Sequence, residues 1–319
     1  MRAIDLHMHT RVSDGTDRPE EIIGKVREAG IGVFSVTDHD SIDCSSIIPG
    51  LLKKGDPVFI SGVEFSCKDE EGKCHMLGYG YDPESESIRH IVEMGHNFRM
   101  DTARRRVLFL KETFGFVFPE EEEKKFFALD NPGKPHLANL MVKLGMAVNK
   151  KQAIEDYINK MPNRDNYVRP KEAIEGILGA GGIPVLAHPF FGSGNSHFSV
   201  SDLRRKVERL MGFGLQGIEG FYSGFDDDLI REALKMAEEL GLYVTAGSDY
   251  HGRNKTVALG DTGLPRWSGK ESSARPNDGP DDSPDDSPDG GSDGCGAGFE
   301  SGIPALERFL SDVRRFEVQ

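Results

Sequence analysis

The chain has 319 residues, 37% of them hydrophobic, with a formal net charge of −14 and four cysteines. That length allows one large domain, or one domain with a smaller companion, and no apolar run approaches the roughly 20 residues that span a bilayer. The first strand starts almost at Met1, leaving no room for a signal peptide, and the cysteines form neither a CxxC pair nor a disulfide framework, so a cytoplasmic protein with reduced thiols is expected. Half of the acidic excess lies in residues 267–302, where nine acids face Lys270 and Arg275, a net of −7. An anionic substrate is therefore compatible with the total charge, whereas no membrane and no duplex DNA partner is expected.

In chain order, short apolar runs end in residues that bind metals. Ala3-Ile4-Asp5-Leu6 leads into His7 and His9, and residues i and i+2 of a strand share a face, so both imidazoles can reach one ion. Ser13-Asp14-Gly15-Thr16 follows, then a helix opened by Pro19 and closed by Gly30, the Pro-early, Gly-late asymmetry of helix ends. Val33-Phe34-Ser35-Val36 runs into Thr37-Asp38-His39-Asp40, the run from Val58 to Val63 into Glu64, and His75 opens a strand through Tyr79. Cys67 and Cys74 flank an acidic turn of a hairpin, as two reduced thiols.

Nearly ninety residues then intervene before the helix at Pro170, too many for a loop, and they show helical periodicity over 88–114, 135–144 and 150–160. Residues 83–170 are thus expected to form a helical cap over the mouth of the fold. Strand 183–187 ends in His188, strand 215–219 ends in Glu219, and strand 243–248 ends in Asp249-Tyr250-His251. Strands alternating with helices predict a parallel sheet. Closed on itself it would be a distorted seven-stranded (β/α)7 barrel, formed by residues 1–82 and 171–266, with all strand ends at one mouth. The Gly-, Ser-, Pro- and Asp-rich segment 267–302 has almost nothing apolar and is expected to be disordered, and 303–319 regains helical spacing and should dock on the barrel's outside.

Six histidines and three carboxylates at strand ends form one constellation. With His7-Met8-His9-Thr10, Thr37-Asp38-His39-Asp40, Gly62-Val63-Glu64, His75, Ala187-His188-Pro189 and Gly247-Ser248-Asp249-Tyr250-His251-Gly252, residues 1 to about 260 resemble the polymerase and histidinol phosphatase (PHP) family of metal-dependent phosphoesterases. Arg99 to Gly115, Lys134-Pro135-His136-Leu137-Ala138 and Tyr167-Val168-Arg169-Pro170 look like its 3′,5′-nucleoside bisphosphate phosphatase and 5′ exoribonuclease subgroup. The resemblance implies three divalent ions: one on His7, His9, Glu64 and Asp249; a second on Glu64, His75 and His188; a third on Asp14, His39 and His251. Asp14, His39 and His251 would act in catalysis, and Asp5, Asp38 and Asp40 would accept imidazole N–H groups. Imidazole mixed with carboxylate suits Mn, Fe or Zn.

Such a site hydrolyses phosphate esters with a water activated by bound ions, the substrate being a small phosphorylated nucleotide or short RNA. Arg99, Arg104, Lys134 and His136 would contact that substrate if the cap faces the mouth, and His197 would do so from the loop after His188. Glu219 reads as a hydrogen-bonding residue rather than a ligand. Histidinol phosphate, or another small phosphomonoester, is the alternative substrate. An amidohydrolase shares the His-x-His opening, but it usually carries a carboxylated lysine where this chain has His75. A non-catalytic metal-stabilised barrel would tend to lose ligands, and here the set is full.

Overall fold

The computed structural model describes residues 3–129, 131–162, 167–191, 198–264 and 301–313. Eight strands form two sheets. Strands β1 (Ala3–Asp5), β2 (Ile31–Phe34) and β3 (Val58–Phe59) are parallel neighbours in that order. The second sheet runs β4 (Gly62–Asp69), β5 (Gly72–Tyr79), β6 (Ile183–Leu186), β7 (Gly217–Tyr222) and β8 (Tyr243–Gly247). Here β6, β7 and β8 are parallel, but β4–β5 and β5–β6 are antiparallel.

The predicted seven-stranded, closed parallel barrel is corrected on both counts. The apolar run from Val58 to Val63 is not one strand: it breaks at Ile60-Ser61, where the chain passes from the first sheet to the second. Beyond it β4 turns back on itself through Glu70-Glu71 into β5, pairing Glu64 with Leu77 and Ser66 with His75. A tight hairpin can only give antiparallel neighbours. The two sheets meet along two seams held by single bridges rather than by a continuous ladder. At one, Met8 bridges Tyr250 and the Leu6 N–H reaches the Ala246 carbonyl at 2.8 Å. At the other, His39 bridges Glu64, with the Asp40 N–H on the Glu64 carbonyl at 3.0 Å. Both seams therefore run through ligand candidates.

Helices α1 (Pro19–Glu28) and the short α2 (Asp43–Ile47) flank the first sheet. Between β5 and the second sheet's remaining strands stand α3 (Glu86–Phe114), α4 (Glu120–Phe127), α5 (Lys134–Lys143) and α6 (Lys150–Gln152), the last continuing into a π-helical turn over Ala153–Tyr157. Their buried faces form a core of their own, in which Val107 and Leu110 of α3 meet Leu137 and Met141 of α5 and Ile158. Helix α7 (Pro170–Gly179) packs so closely on α3 that a Cβ at Gly176 would fall 2.3 Å from Ile91.

Helices α8 (Val200–Met211) and α9 (Asp227–Leu240) complete the crossovers of the parallel half. Each begins as its sequence dictates: the side chains of Ser199 and Asp226 accept the free N–H groups of Asp202 and Leu229 at 3.1 and 2.9 Å. Helix α10 (Pro304–Asp312) lies on the second sheet, Phe309 against the rings of Tyr79 and Tyr243 at 5.4 and 6.0 Å. The acidic tract predicted as disordered falls, but for residues 301–302, outside the described residues. Among the described residues no helix is long and apolar enough to cross a membrane.

Candidate metal centre

Strand β1 delivers His7 and His9 to the same side, and the backbone carries them on between the sheets: Asp249 N–H donates to the His7 carbonyl at 2.7 Å and His9 N–H to the Tyr250 carbonyl at 2.8 Å. Both imidazoles are fully buried. Glu64, at the start of β4, sits at the centre. Its Oε2 lies 3.3 Å from His7 Nε2 and 3.2 Å from both His9 Nε2 and His39 Nδ1, and its Oε1 lies 2.7 Å from His75 Nδ1 and 3.4 Å from His188 Nε2. Asp249 Oδ1 approaches His9 Nε2 at 3.4 Å, and Asp14 Oδ1 approaches His251 Nε2 at 3.1 Å. All nine predicted ligands thus lie in one cluster.

The donor atoms fit cations better than they fit one another. His7 Nε2, His9 Nε2 and His39 Nδ1 are buried and have no hydrogen-bond partner although carboxylate oxygens stand close by, a condition that is rare unless something else satisfies them. Ligand atoms from His9, Asp14, His39 and His251 lie within 4.8 Å of one another, as do those of His7, His9 and Asp249, and those of His39, Glu64 and His75. The grouping differs in detail from the one the family resemblance implies, because His9 and His39 each stand between two groups.

The electrostatics show the same strain. Burial pushes Glu64 toward the neutral form, yet His75, His39 and His7 around it hold its carboxyl well below the usual range. Burial likewise opposes charge on His9, but Asp249 and Glu64 raise it to about 9. His39 goes the other way, lowered well below its ordinary value by burial. The surrounding carboxylates favour protons on His7 and His9, and divalent ions bound to these nitrogens would replace those protons.

Three residues in or beside the cluster adopt positive φ without being glycine: Asp40 at 50°, His188 at 27° and Asp249 at 58°. Such backbone costs energy and persists where the surroundings enforce it. Around the ligands, Glu219 has two jobs: Oε1 accepts the His7 Nδ1–H at 2.9 Å, which turns Nε2 toward the cluster, and Oε2 accepts the His188 backbone N–H at 2.7 Å. A Cβ at Gly247 would fall 2.2 Å from His7 Cβ and 2.5 Å from Glu219 Oε1, so only glycine leaves room for this pair.

The expected role of Asp5, Asp38 and Asp40 needs correction: they brace backbone and loops instead of imidazoles. Asp5 accepts from the Ser248 N–H and hydroxyl at 2.9 and 2.6 Å; Asp38 accepts from Thr10 Oγ1 and Ser13 Oγ, both at 2.7 Å. Asp40 accepts from the Ser66 N–H at 3.0 Å and from both Nε and Nη2 of Arg99.

A cavity of about 220 Å³ opens from Asp14, His39 and His75 toward α3 and α5, and Arg99, Arg106 and Lys134 line it. Arg99 faces the site but is already tied to Asp40 and, at 2.9 Å, to Ser66 Oγ. Lys134 donates to Asn159 Oδ1 at 2.6 Å. His136 turns Nδ1 to the Gly133 N–H at 3.1 Å, and burial lowers its pKa, which favours this neutral acceptor. Arg104 is not brought to the site: it is exposed on the outer face of α3, while Arg106, two residues on, is only 8% exposed and faces the cavity. Helical spacing cannot tell which of three adjacent arginines points inward. His197 lies outside the described residues. On the opposite side of the cluster, Tyr222 and Lys255, which sequence reasoning missed, both donate to Asp249 Oδ2, at 2.9 and 2.6 Å.

Comparison with known proteins agrees with this geometry. The chain is 29% identical over 260 residues to the 3′,5′-nucleoside bisphosphate phosphatase of Chromobacterium violaceum, covering 79% of this chain and 88% of that one. It is 25% identical to the 5′-3′ exoribonuclease of Haemophilus influenzae, over 82% of this chain and 97% of the relative. A solved structure assigned as a metal-dependent phosphoesterase, from Bifidobacterium adolescentis, superimposes with a TM-score of 0.71 at 26% identity, covering 81% of this chain and 91% of that chain. Residues 5–161 match the family model described as PHP domain, so this part of the chain is a PHP domain.

Proposed function

We propose that this protein is a metal-dependent phosphoesterase that removes phosphate from a 3′,5′-nucleoside bisphosphate or trims the 5′ end of short RNA. One observation carries the reading: buried, partnerless nitrogens of His7, His9 and His39 converge on Glu64, beside a cavity lined by cationic side chains. Three divalent ions, Mn, Fe or Zn, are the complement we assign to nine ligands: His7, His9, Asp14, His39, Glu64, His75, His188, Asp249 and His251. Bound there, such ions would lower the pKa of water to about 7 and offset the charge of phosphate oxygens.

The chain's own residues do the rest. Glu219 and the Asp249 carbonyl hold the Nδ1 atoms of His7 and His251, at 2.9 Å each, and so fix which nitrogen faces the cluster. Arg99, kept rigid by Asp40, and Lys134 present positive charge where the substrate's nucleotide enters. With Nε and Nη2 of Arg99 committed to Asp40 and Ser66, Nη1 is the nitrogen that would donate to a phosphate oxygen. Helices α3 to α6 act in this reading as a cap over the site, and the strands with α7 to α9 as the metal-binding body. Asp14 and His39 line the cavity beneath that cap, and with His251 they would hold the ion that polarises the ester, so Asp14→Asn should lower turnover far more than stability.

The relatives named for nucleotide and RNA substrates support this class over histidinol phosphate. The test is phosphate release by the Mn-loaded protein from adenosine 3′,5′-bisphosphate, a 5′-phosphorylated short RNA and histidinol phosphate, side by side. Turnover of either of the first two supports the reading; turnover of histidinol phosphate alone removes it.

A further inference from the structure

The cluster has a second open side. Next to the α3–α5 cavity, and sharing His39 and His75 with it, lies another, of about 270 Å³, whose walls also include His188, Phe191, Tyr222, Asp249 and Lys255. Asp249 divides the two environments: its Oδ1 points at the imidazoles of His9 and His251, 3.4 and 3.3 Å away, while its Oδ2 receives the Tyr222 hydroxyl and the Lys255 ammonium. Among the residues that line this cavity, Lys255 is the one lysine or arginine, the others being carboxylates, imidazoles, a phenyl ring and a phenol. We propose that Lys255 is a substrate-binding residue whose ammonium donates to a non-bridging oxygen of the phosphate undergoing hydrolysis, with Tyr222 and Phe191 walling the same end.

An ammonium has three donors. Among the described residues Asp249 takes one, and the side chain keeps 40% of its surface exposed, on the cavity side. Its position is fixed by the turn before it. Gly252 has φ 62°, and a Cβ there would fall 2.0 Å from Thr16 Oγ1, which instead accepts the Arg253 N–H at 3.0 Å. Asn254 then ties the turn to both halves of the molecule, donating to the Asp14 carbonyl at 2.7 Å and accepting from Lys150 Nζ, on α6, at 2.7 Å. A charge held this way needs little rearrangement when negative charge builds on the phosphate, which is the condition for strong electrostatic stabilisation.

The assignment rests on the phosphoesterase reading, and its test separates the two. Lys255→Met and Lys255→Arg are compared with wild type, all Mn-loaded, for kcat/KM on adenosine 3′,5′-bisphosphate, for inorganic phosphate affinity by calorimetry, and for Mn bound per chain. Loss of the donor should lower kcat/KM on the order of 100-fold and weaken phosphate binding at least tenfold, roughly the share of one charge-assisted hydrogen bond, with Mn content and Tm unchanged. Lys255→Arg should restore most of both. Mn content falling in step with activity would mean that Lys255 merely supports Asp249, and unchanged phosphate affinity in Lys255→Met would overturn the assignment outright. Should the wild type turn over no phosphate ester, the function fails, while the phosphate calorimetry still decides the role of Lys255.

Discussion

The ligand cluster and the cavity beneath α3 and α5 are a few ångströms apart and are built on opposite plans. In the cavity the charged groups have protein partners: Arg99 has Asp40 and Ser66, Lys134 has Asn159, and His136 has the Gly133 N–H. In the cluster, carboxylates and imidazoles crowd together and key nitrogens have none. One region is finished as protein; the other is arranged so that it could hold cations. Damage to the cluster should therefore be abrupt and damage to the cavity graded.

The largest effect should come from Glu64, whose two oxygens face five imidazoles. Glu64→Gln should lose more activity than the roughly 10³-fold that removing a single electrostatic stabiliser costs, and bound metal should fall with it, as elemental analysis would read. If Glu64→Gln kept full metal and most activity, the cluster would not be organised as described.

A second way to sharpen the contrast is pH. His9 is raised to about 9 in the metal-free protein, and an unfolded histidine titrates near 6.5. The proton it holds stabilises the metal-free fold fully below pH ~6.5, and that contribution is lost as pH rises through about 9. The Tm of the chelator-treated protein should fall across that window. The loaded protein, whose ligands are already deprotonated, should not follow it, so the gap between the two widens with pH. A gap that stays constant from pH 6.5 to 9 would contradict proton-for-metal exchange.

Glu219→Gln should be milder, costing about 10- to 100-fold in metal affinity, because it removes the charge that fixes His7 while leaving every ligand in place. Titration with Mn under a competing chelator measures it. Smallest is the pair on α3: Arg99→Lys should raise KM about tenfold, one lost charge-assisted contact, whereas Arg104→Ala should change neither kcat nor KM. Equal effects of Arg99 and Arg104 would mean that the substrate does not enter the cavity.

The residues of the cluster were legible in the sequence because strand periodicity is short. His7 and His9 share a face by the two-residue repeat alone, and His188 and Asp249 follow apolar runs that do end as strands, whereas Glu64 and His75 lie within β4 and β5. The sheet itself was less legible. A break at Ile60-Ser61 and a hairpin through Glu70-Glu71 depend on which neighbour each segment pairs with, a long-range choice that local patterning does not encode. The same limit hid Lys255 and the real partner of Asp40. Lys255 is one lysine in a polar loop, and Arg99 lies 59 residues from the carboxylate it binds; only the folded chain brings either to the site.

Anomalous diffraction from crystals of the Mn-loaded protein tests the central claim most directly. Peaks are expected among the nine side chains, within bonding distance of His7 Nε2, His9 Nε2 and Glu64, and none beside Arg99, Arg106 or Lys134 on the helical side of the cavity. Peaks elsewhere, or full phosphoesterase activity from protein whose cluster holds no metal, would contradict it.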